Sequence, residues 1–207
     1  MAYAVLGETR RAIEFYNQRL TIAHEVGDRR GEGTTLGNLG IAYRNLGKTR
    51  HAIELFEQQF AIACEIGDRR AEGNALGNLG IAHARLGEIQ RAIEIYEQWL
   101  KLTRETGDRR GEASALDNLG VAYKNLGDTR SAIEFHQQSL TIVSEVGDRS
   151  GKSLVSWHLG LALELQDDCA QAVDLMQVFV DYQREIGHPA AESSAARVDL
   201  MRTRLAE

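Results

Sequence analysis

The octet Leu36-Gly37-Asn38-Leu39-Gly40-Ile41-Ala42-Tyr43 returns forty residues later as Leu76-Gly77-Asn78-Leu79-Gly80-Ile81-Ala82-His83. It returns again as Leu116-Asp117-Asn118-Leu119-Gly120-Val121-Ala122-Tyr123, and more loosely as Ser156-Trp157-His158-Leu159-Gly160-Leu161-Ala162-Leu163. A period of this length means that one supersecondary unit is built several times and stacked, each copy covering apolar surface that its neighbour cannot bury alone. The reading of every other residue is constrained by that period.

Within a period the spacing is helical. Ala12, Ile13, Phe15, Tyr16, Leu20, Ile22, Ala23 and Val26 recur at steps of three and four, so Thr9 to Val26 reads as one amphipathic helix. Gly27-Asp28 ends it: glycine accepts the left-handed conformation of a helix terminus, and aspartate caps the orphan N–H groups of the next helix. The following helix should run from about Arg29 to Leu46, with Gly47-Lys48 as the stop and Thr49 to Ile66 as its antiparallel partner. The same pair recurs as Arg69 to Leu86 with Ile89 to Thr106, Arg109 to Leu126 with Thr129 to Val146, and Arg149 to Leu165 with Asp168 to Ile186.

Both ends of the chain depart from the pattern. Tyr3, Leu6 and Gly7 stand one period before Tyr43, Leu46 and Gly47, so residues 1–26 read as a partial repeat and the chain as a fragment of a longer protein. At the other end His188 replaces the capping aspartate, Pro189 stands where a first helical residue would, and polar residues 187–207 suit a capping helix. The expected organisation is a single domain over 1–207, with full repeats 27–66, 67–106, 107–146 and 147–186 between the partial repeat and the cap.

Composition narrows the function. Charged residues make up 26%, apolar residues 43%, and there is one proline, which fits a mostly helical globular chain. No apolar run reaches the length of a membrane span and no signal segment opens the chain, so a cytoplasmic location without membrane attachment is expected. A formal charge of −6 argues against nucleic acid. Cys64 and Cys169 read as buried small residues rather than a disulfide or metal ligands.

Leu36-x2-Leu39-Gly40-x2-Tyr43 followed by Ala52-x3-Phe56 resembles the tetratricopeptide signature, with leucine in the usual tryptophan place. The forty-residue period, the Leu-Gly-Asn triplets and the Gly-Asp-Arg openings resemble the long-repeat class of Pins-type spindle-orientation adaptors, kinesin light chains and bacterial signalling proteins. The resemblance implies an all-α fold, a right-handed superhelical α-solenoid of antiparallel helix pairs whose concave groove holds a peptide or protein segment. It implies a binding module of the adaptor or scaffold kind rather than an enzyme.

In that family the groove is lined by the outward side of each repeat's first helix, here Arg30, Asn38 and Arg44, then Arg70, Asn78 and Arg85, then Arg110, Asn118 and Lys124, with Trp157 following. Asn38, Asn78 and Asn118 stand where the family uses an asparagine to hold a peptide main chain, as an amide can both donate and accept. The plain alternative is that they bond neighbouring helices. Arg30, Arg70 and Arg110 stand in a first helical turn, where the helix dipole disfavours positive charge. Either a ladder of ion pairs with Glu25, Asp28 and Glu32 and their counterparts at 65, 68, 72, 105, 108 and 112 offsets them, or an acidic peptide does; for Arg29, Arg69 and Arg109 the ion-pair account is preferred. Gly37 and Gly77 would leave a bare groove floor, and Asp117 and Trp157 would make it acidic and aromatic further along.

The glycines inside helices at 40, 80, 120 and 160 imply close approach of the paired helix, for which Ala52, Ala92, Ala132 and Ala172 are the matching small residues. The histidines at 24, 51, 83, 136, 158 and 188 show no metal-ligand spacing, and His83 and His136 read as packing substitutes for aromatic residues. No phosphate loop or nucleophile motif is present, and neither cofactor nor metal is expected. Glu57-Gln58-Gln59 and Glu97-Gln98 read as solvated faces. Two alternatives stand beside the peptide-binding module: a sensor or autoinhibitory segment of a larger nucleotide-dependent switch, and a homodimer closing an apolar edge near Tyr3, Leu6, Ile13 and Tyr16.

Overall fold

The computed structural model describes the backbone of residues 2–206 and the side chains of residues 8–205. Among the described residues the chain is all helix and turn. The helices are α1 (Ala2–Glu25), α2 (Arg29–Asn45), α3 (Thr49–Ile66), α4 (Arg69–Arg85), α5 (Ile89–Thr106), α6 (Arg109–Asn125), α7 (Thr129–Glu145), α8 (Arg149–Glu164), α9 (Cys169–Glu185) and α10 (Ala191–Ala206). They pack as two units, Met1–Thr106 with α1 to α5 and Gly107–Glu207 with α6 to α10. Inside each unit every helix packs on its neighbours in sequence, and α2 also meets α4 as α6 meets α8. That pattern is the mark of stacked hairpins.

The turns are built as the Gly-Asp pairs require. Gly67 sits at φ 66°, the left-handed cap of α3, and the N–H of Asp68 returns to the Ala63 carbonyl at 2.9 Å. The Asp68 carboxylate then accepts the Ala71 N–H at 3.0 Å, satisfying a donor of the first turn of α4. Asp28, Asp108 and Asp148 cap α2, α6 and α8 in the same way. One turn lacks the glycine: Asp167 itself takes the left-handed conformation, at φ 61°. A short polar side chain tolerates that region better than most.

The core lies along the hairpins. In the first unit Leu36, Leu39, Leu55 and Ile62 form one cluster and Ala52, Phe56, Leu76, Leu79 and Ile95 belong to the next. In the second, Leu159, Met176, Val180 and Val198 are central. Ala52, Ala92, Ala132 and Ala172 are fully buried. The atoms nearest the helix glycines, however, belong to larger side chains. A β-carbon placed on Gly40 would lie 2.4 Å from the Phe56 ring, one on Gly80 2.2 Å from the Tyr96 ring, and one on Gly120 2.6 Å from the His136 ring. The close approach is of a large side chain four residues beyond the alanine. At Gly160 the nearest atom is of Met176, at 2.6 Å, with the Ala172 carbonyl next at 3.1 Å.

Other expectations are corrected by the backbone. α1 runs unbroken from Ala2 through Gly7, because glycine permits a turn without imposing one and costs a continuous helix only about 1 kcal/mol. The side chains of Tyr3 and Leu6 lie outside the described residues. Ile13 and Tyr16 pack against the Leu36 cluster, and among the described residues of this segment the large apolar side chains left bare are Phe15 and Ile22 on α1 and Val26 in the turn after it. Pro189 falls in the turn before α10, while His188 does the capping with its ring, Nδ1 accepting the Ala190 N–H at 3.2 Å. Cys64 is exposed and Cys169 partly so; position 64 is the one at which the later repeats carry Arg104 and Ser144, on the outside of the second helix.

Gly80→Ala separates two opposing effects. Helix propensity would favour alanine by about 1 kcal/mol. The Tyr96 ring, only 2% exposed, cannot move aside cheaply, and overpacking costs about 1–3 kcal/mol. The expected outcome of chemical denaturation is a net loss of stability, where a gain would show that the ring contact is slack.

Candidate functional site

The first arginine of each repeat is committed to ion pairs. Arg29 meets Glu32 at 2.6 Å and also Glu65; Arg69 meets Glu72 at 2.7 Å and Glu105 at 2.8 Å. Arg109 meets Glu112 and Glu145, each at 2.6 Å, and Arg149 meets Glu185 at 2.5 Å. These carboxylates come from the end of the paired helix as well as from the arginine's own first turn, so each ladder step ties a hairpin's two ends. The pairs offset the helix dipole that otherwise disfavours a cation there.

The second arginines differ among themselves. Arg30 reaches the capping carboxylate of the next repeat, Asp68, at 3.1 Å. Arg70 and Arg110 are exposed and make no ion pair among the described residues. Arg85 donates weakly to the Arg44 carbonyl at 3.5 Å. Arg44 is half-buried, with its guanidinium 6.0 Å from the centre of the Phe56 ring and one N–H on Asn78 Oδ1 at 3.2 Å. Burial and the charge of Arg85 push its pKa down.

In the first unit α2 to α5 enclose an open cleft of about 430 Å³. Arg30 and Asn38 line it from α2, Asn74 and Asn78 from α4, and Gln59 and Trp99 from the second helices of their hairpins. The glycines do not leave the floor bare. A β-carbon on Gly37 would meet the Gln59 amide at 2.7 Å, and one on Gly77 the Trp99 ring at 3.1 Å. Each glycine therefore lets a long side chain from the paired helix lie across its helix, and those side chains form the floor. Gln59 is buried rather than solvated, and its Oε1 has no hydrogen-bond partner. Asn38 and Asn74 make no side-chain hydrogen bond among the described residues, and Asn78 uses only its carbonyl. Asn74 falls on the outward side of the second repeat's first helix, as the helical spacing expects, and lines the cleft. Trp99 is absent from the residues singled out in sequence; the hint was that 59 and 99 stand three residues beyond the ring positions 56 and 96.

The second unit places its residues differently. Asn118 donates to the Ser114 carbonyl of its own helix at 2.8 Å. Lys124 lies at the end of α6, half-buried. Trp157 packs its ring on Phe179, centres 4.8 Å apart, at the margin of the core. Between them is a buried polar cluster: Asp117 Oδ1 lies 2.9 Å from His136 Nδ1, and both Asp117 oxygens lie within 3.0 Å of His158 Nδ1. His136 is wholly buried and does occupy the ring position over Gly120, yet its Nε2 has no partner. Burial pushes the Asp117 carboxyl up, but hydrogen bonds from His136 and His158 and their charge outweigh it, and the group is drawn down to about 2.

A family model described as tetratricopeptide repeat matches residues 1–65, 71–145 and 112–181. No curated protein matches the chain in sequence. Among solved structures the chain is similar to BtubC (BKLC) from P. vanneervenii, with a TM-score of 0.68 at 18% identity over 97% of this chain and 90% of that one. It is similar to a signal transduction ATPase with numerous domains from Pyrococcus horikoshii that has a tetratricopeptide repeat sensor, with a TM-score of 0.79 at 17% identity over 97% of this chain and 32% of that one. A Rap protein complexed with competence and sporulation factor gives a TM-score of 0.77 at 15% identity over 92% of this chain and 53% of that one. At such identities the likeness is one of fold.

Asp117→Ala removes the one polar partner of the buried His136 ring. An orphaned buried group costs about 1–3 kcal/mol, more beside a charge. Denaturant unfolding is expected to show a loss of about 2–3 kcal/mol; an unchanged midpoint would mean that the cluster rearranges or takes up water freely.

Proposed function

Because the chain belongs to the tetratricopeptide repeat family, we propose that it is a protein-interaction module, without a reaction of its own, that holds an extended peptide segment in the cleft of its first unit. The observation that carries this reading is the set of uncommitted amides around the cleft floor. Asn38, Asn74 and the Nδ2 group of Asn78 face a cleft floored by Gln59 and Trp99, with Ile62 beside them. Amides match the alternating donors and acceptors of a peptide main chain, and an indole face takes an apolar side chain at small entropic cost. The cleft volume, about 430 Å³, suits a few residues of such a segment. Arg70 and Arg85, exposed and without a carboxylate among the described residues, are not among the residues that line the cleft and favour acidic side chains in the part of a segment that extends past it. The Rap protein of similar fold, complexed with competence and sporulation factor, supports the use of this architecture for binding.

The bare residues of α1 and the turn after it favour a second reading, self-association: Phe15, Ile22 and Val26 are 69%, 60% and 71% exposed. A concentration-independent monomer mass would dismiss it, whereas a dimer abolished by Phe15→Glu would establish it.

Selection of random peptides on the purified chain tests the first reading. Enriched sequences should carry an apolar anchor with acidic neighbours and should change Trp99 fluorescence on binding. Asn38→Ala/Asn74→Ala/Asn78→Ala should weaken them by at least about tenfold, roughly the loss of one or two net hydrogen bonds. Peptides that bind this variant as well as the parent chain would place the binding surface elsewhere.

A further inference from the structure

The second unit carries a constellation that the peptide reading does not use. Asp117 on α6, His136 on α7 and His158 on α8 each offer one ligand atom, and these atoms lie within 4.8 Å of one another. Three helices thus deliver two imidazoles and one carboxylate to a single point. We infer that Asp117, His136 and His158 form a binding site for one divalent first-row transition-metal ion of the zinc class.

The geometry supports this atom by atom. Asp117 Oδ1 stands 2.9 Å from His136 Nδ1 and 3.0 Å from His158 Nδ1. The carboxylate oxygen and either imidazole nitrogen, so spaced and each about 2.1 Å from a common ion, would subtend roughly 90° at it, an angle of five- and six-coordinate sites. The two nitrogens, within 4.8 Å of each other, share such an ion once they stand no more than about 4.2 Å apart, a closure of the rings by about half an ångström at most. The ion would replace the proton that each Nδ1 now shares with the carboxylate. Two imidazole nitrogens and one carboxylate suit zinc and its neighbours and disfavour calcium and magnesium, which take oxygen. Three protein ligands leave further positions for water or for a side chain of a bound partner. His158 and Asp117 keep partial access to solvent, with side chains 22% and 11% exposed, so an ion has a way in.

The chain's own repeats sharpen the argument. At the positions of Asp117, His136 and His158, the chain has Gly37, Phe56 and Asn78 two periods earlier and Gly77, Tyr96 and Asn118 one period earlier. All three departures fall in one place and point at one another. A fourth departure makes room for them. Where Gln59 and Trp99 lie across their glycines, the third repeat has Ser139, whose hydroxyl turns away to the Ala113 carbonyl at 2.8 Å. The carboxylate occupies the space that a long side chain fills elsewhere.

The test uses the whole chain stripped of metal with a chelator. Titration with Zn²⁺ should show one tight site per chain, and Co²⁺ should give the visible absorption of an imidazole-bound ion. One equivalent of Zn²⁺ should move the ring-nitrogen resonances of His136 and His158 and leave those of His51 and His188 in place. The triple variant Asp117→Gly/His136→Tyr/His158→Asn installs the residues that the second repeat already accommodates, and circular dichroism checks that it is helical. It should bind Zn²⁺ more than about 100-fold more weakly, beyond the 10–100-fold typical of losing a supporting partner. If that variant fails to fold, His158→Asn alone, at the partly exposed position, should still cost at least about tenfold. Equal affinity of variant and parent chain, or ring nitrogens of His136 and His158 unmoved by one equivalent, would overturn the site.

Discussion

A large side chain of one helix resting on a bare glycine of its partner, a ring in three hairpins and Met176 in the fourth, sets the spacing of each hairpin, and the rest of the structure follows from that spacing. Phe56 lies on Gly40, Tyr96 on Gly80 and His136 on Gly120, so close that a single β-carbon would collide. Glycine inside a helix is a standing cost, which the buried ring offsets by bringing two helices within packing range. One turn along each hairpin the next pair of residues meets: Gly37 with Gln59, Gly77 with Trp99, and Trp157 with Phe179. Those pairs form the floor of the cleft in the first unit and part of the core margin in the second. A binding surface is here a by-product of how hairpins close.

Much of this fold was legible because its signals are local. Gly27-Asp28 and its counterparts name both the end of one helix and the cap of the next, and the hydrogen bonds to residues 31, 71, 111 and 151 follow from the spacing alone. The ladder of Arg29, Arg69 and Arg109 was legible for the same reason, since Glu32, Glu72 and Glu112 lie one helical turn away. What escaped were contacts decided across a hairpin. The partner of Gly40 is four residues beyond the alanine that periodicity suggested, and Gln59, which reads as part of a polar run, is turned inward by the glycine opposite. Gly7 shows the limit of a local signal, for the same residue type that turns the chain at Gly47 is carried through a continuous α1.

The candidate site was legible in kind and not in detail. The outward positions 30, 38 and 78 do line the cleft. Their commitments could not be read from a repeat, because each depends on one long side chain choosing among neighbours. Arg30 turns to Asp68, Arg44 to Asn78 and Asn118 to Ser114, though the three repeats are nearly identical in this stretch. Small differences in partner length are enough to redirect a flexible side chain, since each such bond is worth only about 0.5–1.5 kcal/mol.

The same argument, run with larger energies, bears on the Asp117 cluster. A groove-side hydrogen bond can come and go at little cost, whereas a carboxylate taken out of water with no partner destabilises by several kcal/mol. Asp117 in the company of Phe or Tyr at 136 and Asn at 158 would be such a group, facing an aromatic ring and a single amide. His136 without Asp117 would be a buried imidazole with both nitrogens unsatisfied, since its Nε2 already has no partner. Each member is therefore costly alone and tolerable only with the others. Repeats that otherwise differ by interchangeable residues would not be expected to assemble such a set by independent changes, least of all with Ser139 clearing the space beside it. The arrangement is held together by mutual need, and the residues that meet that need are those that bind a transition metal.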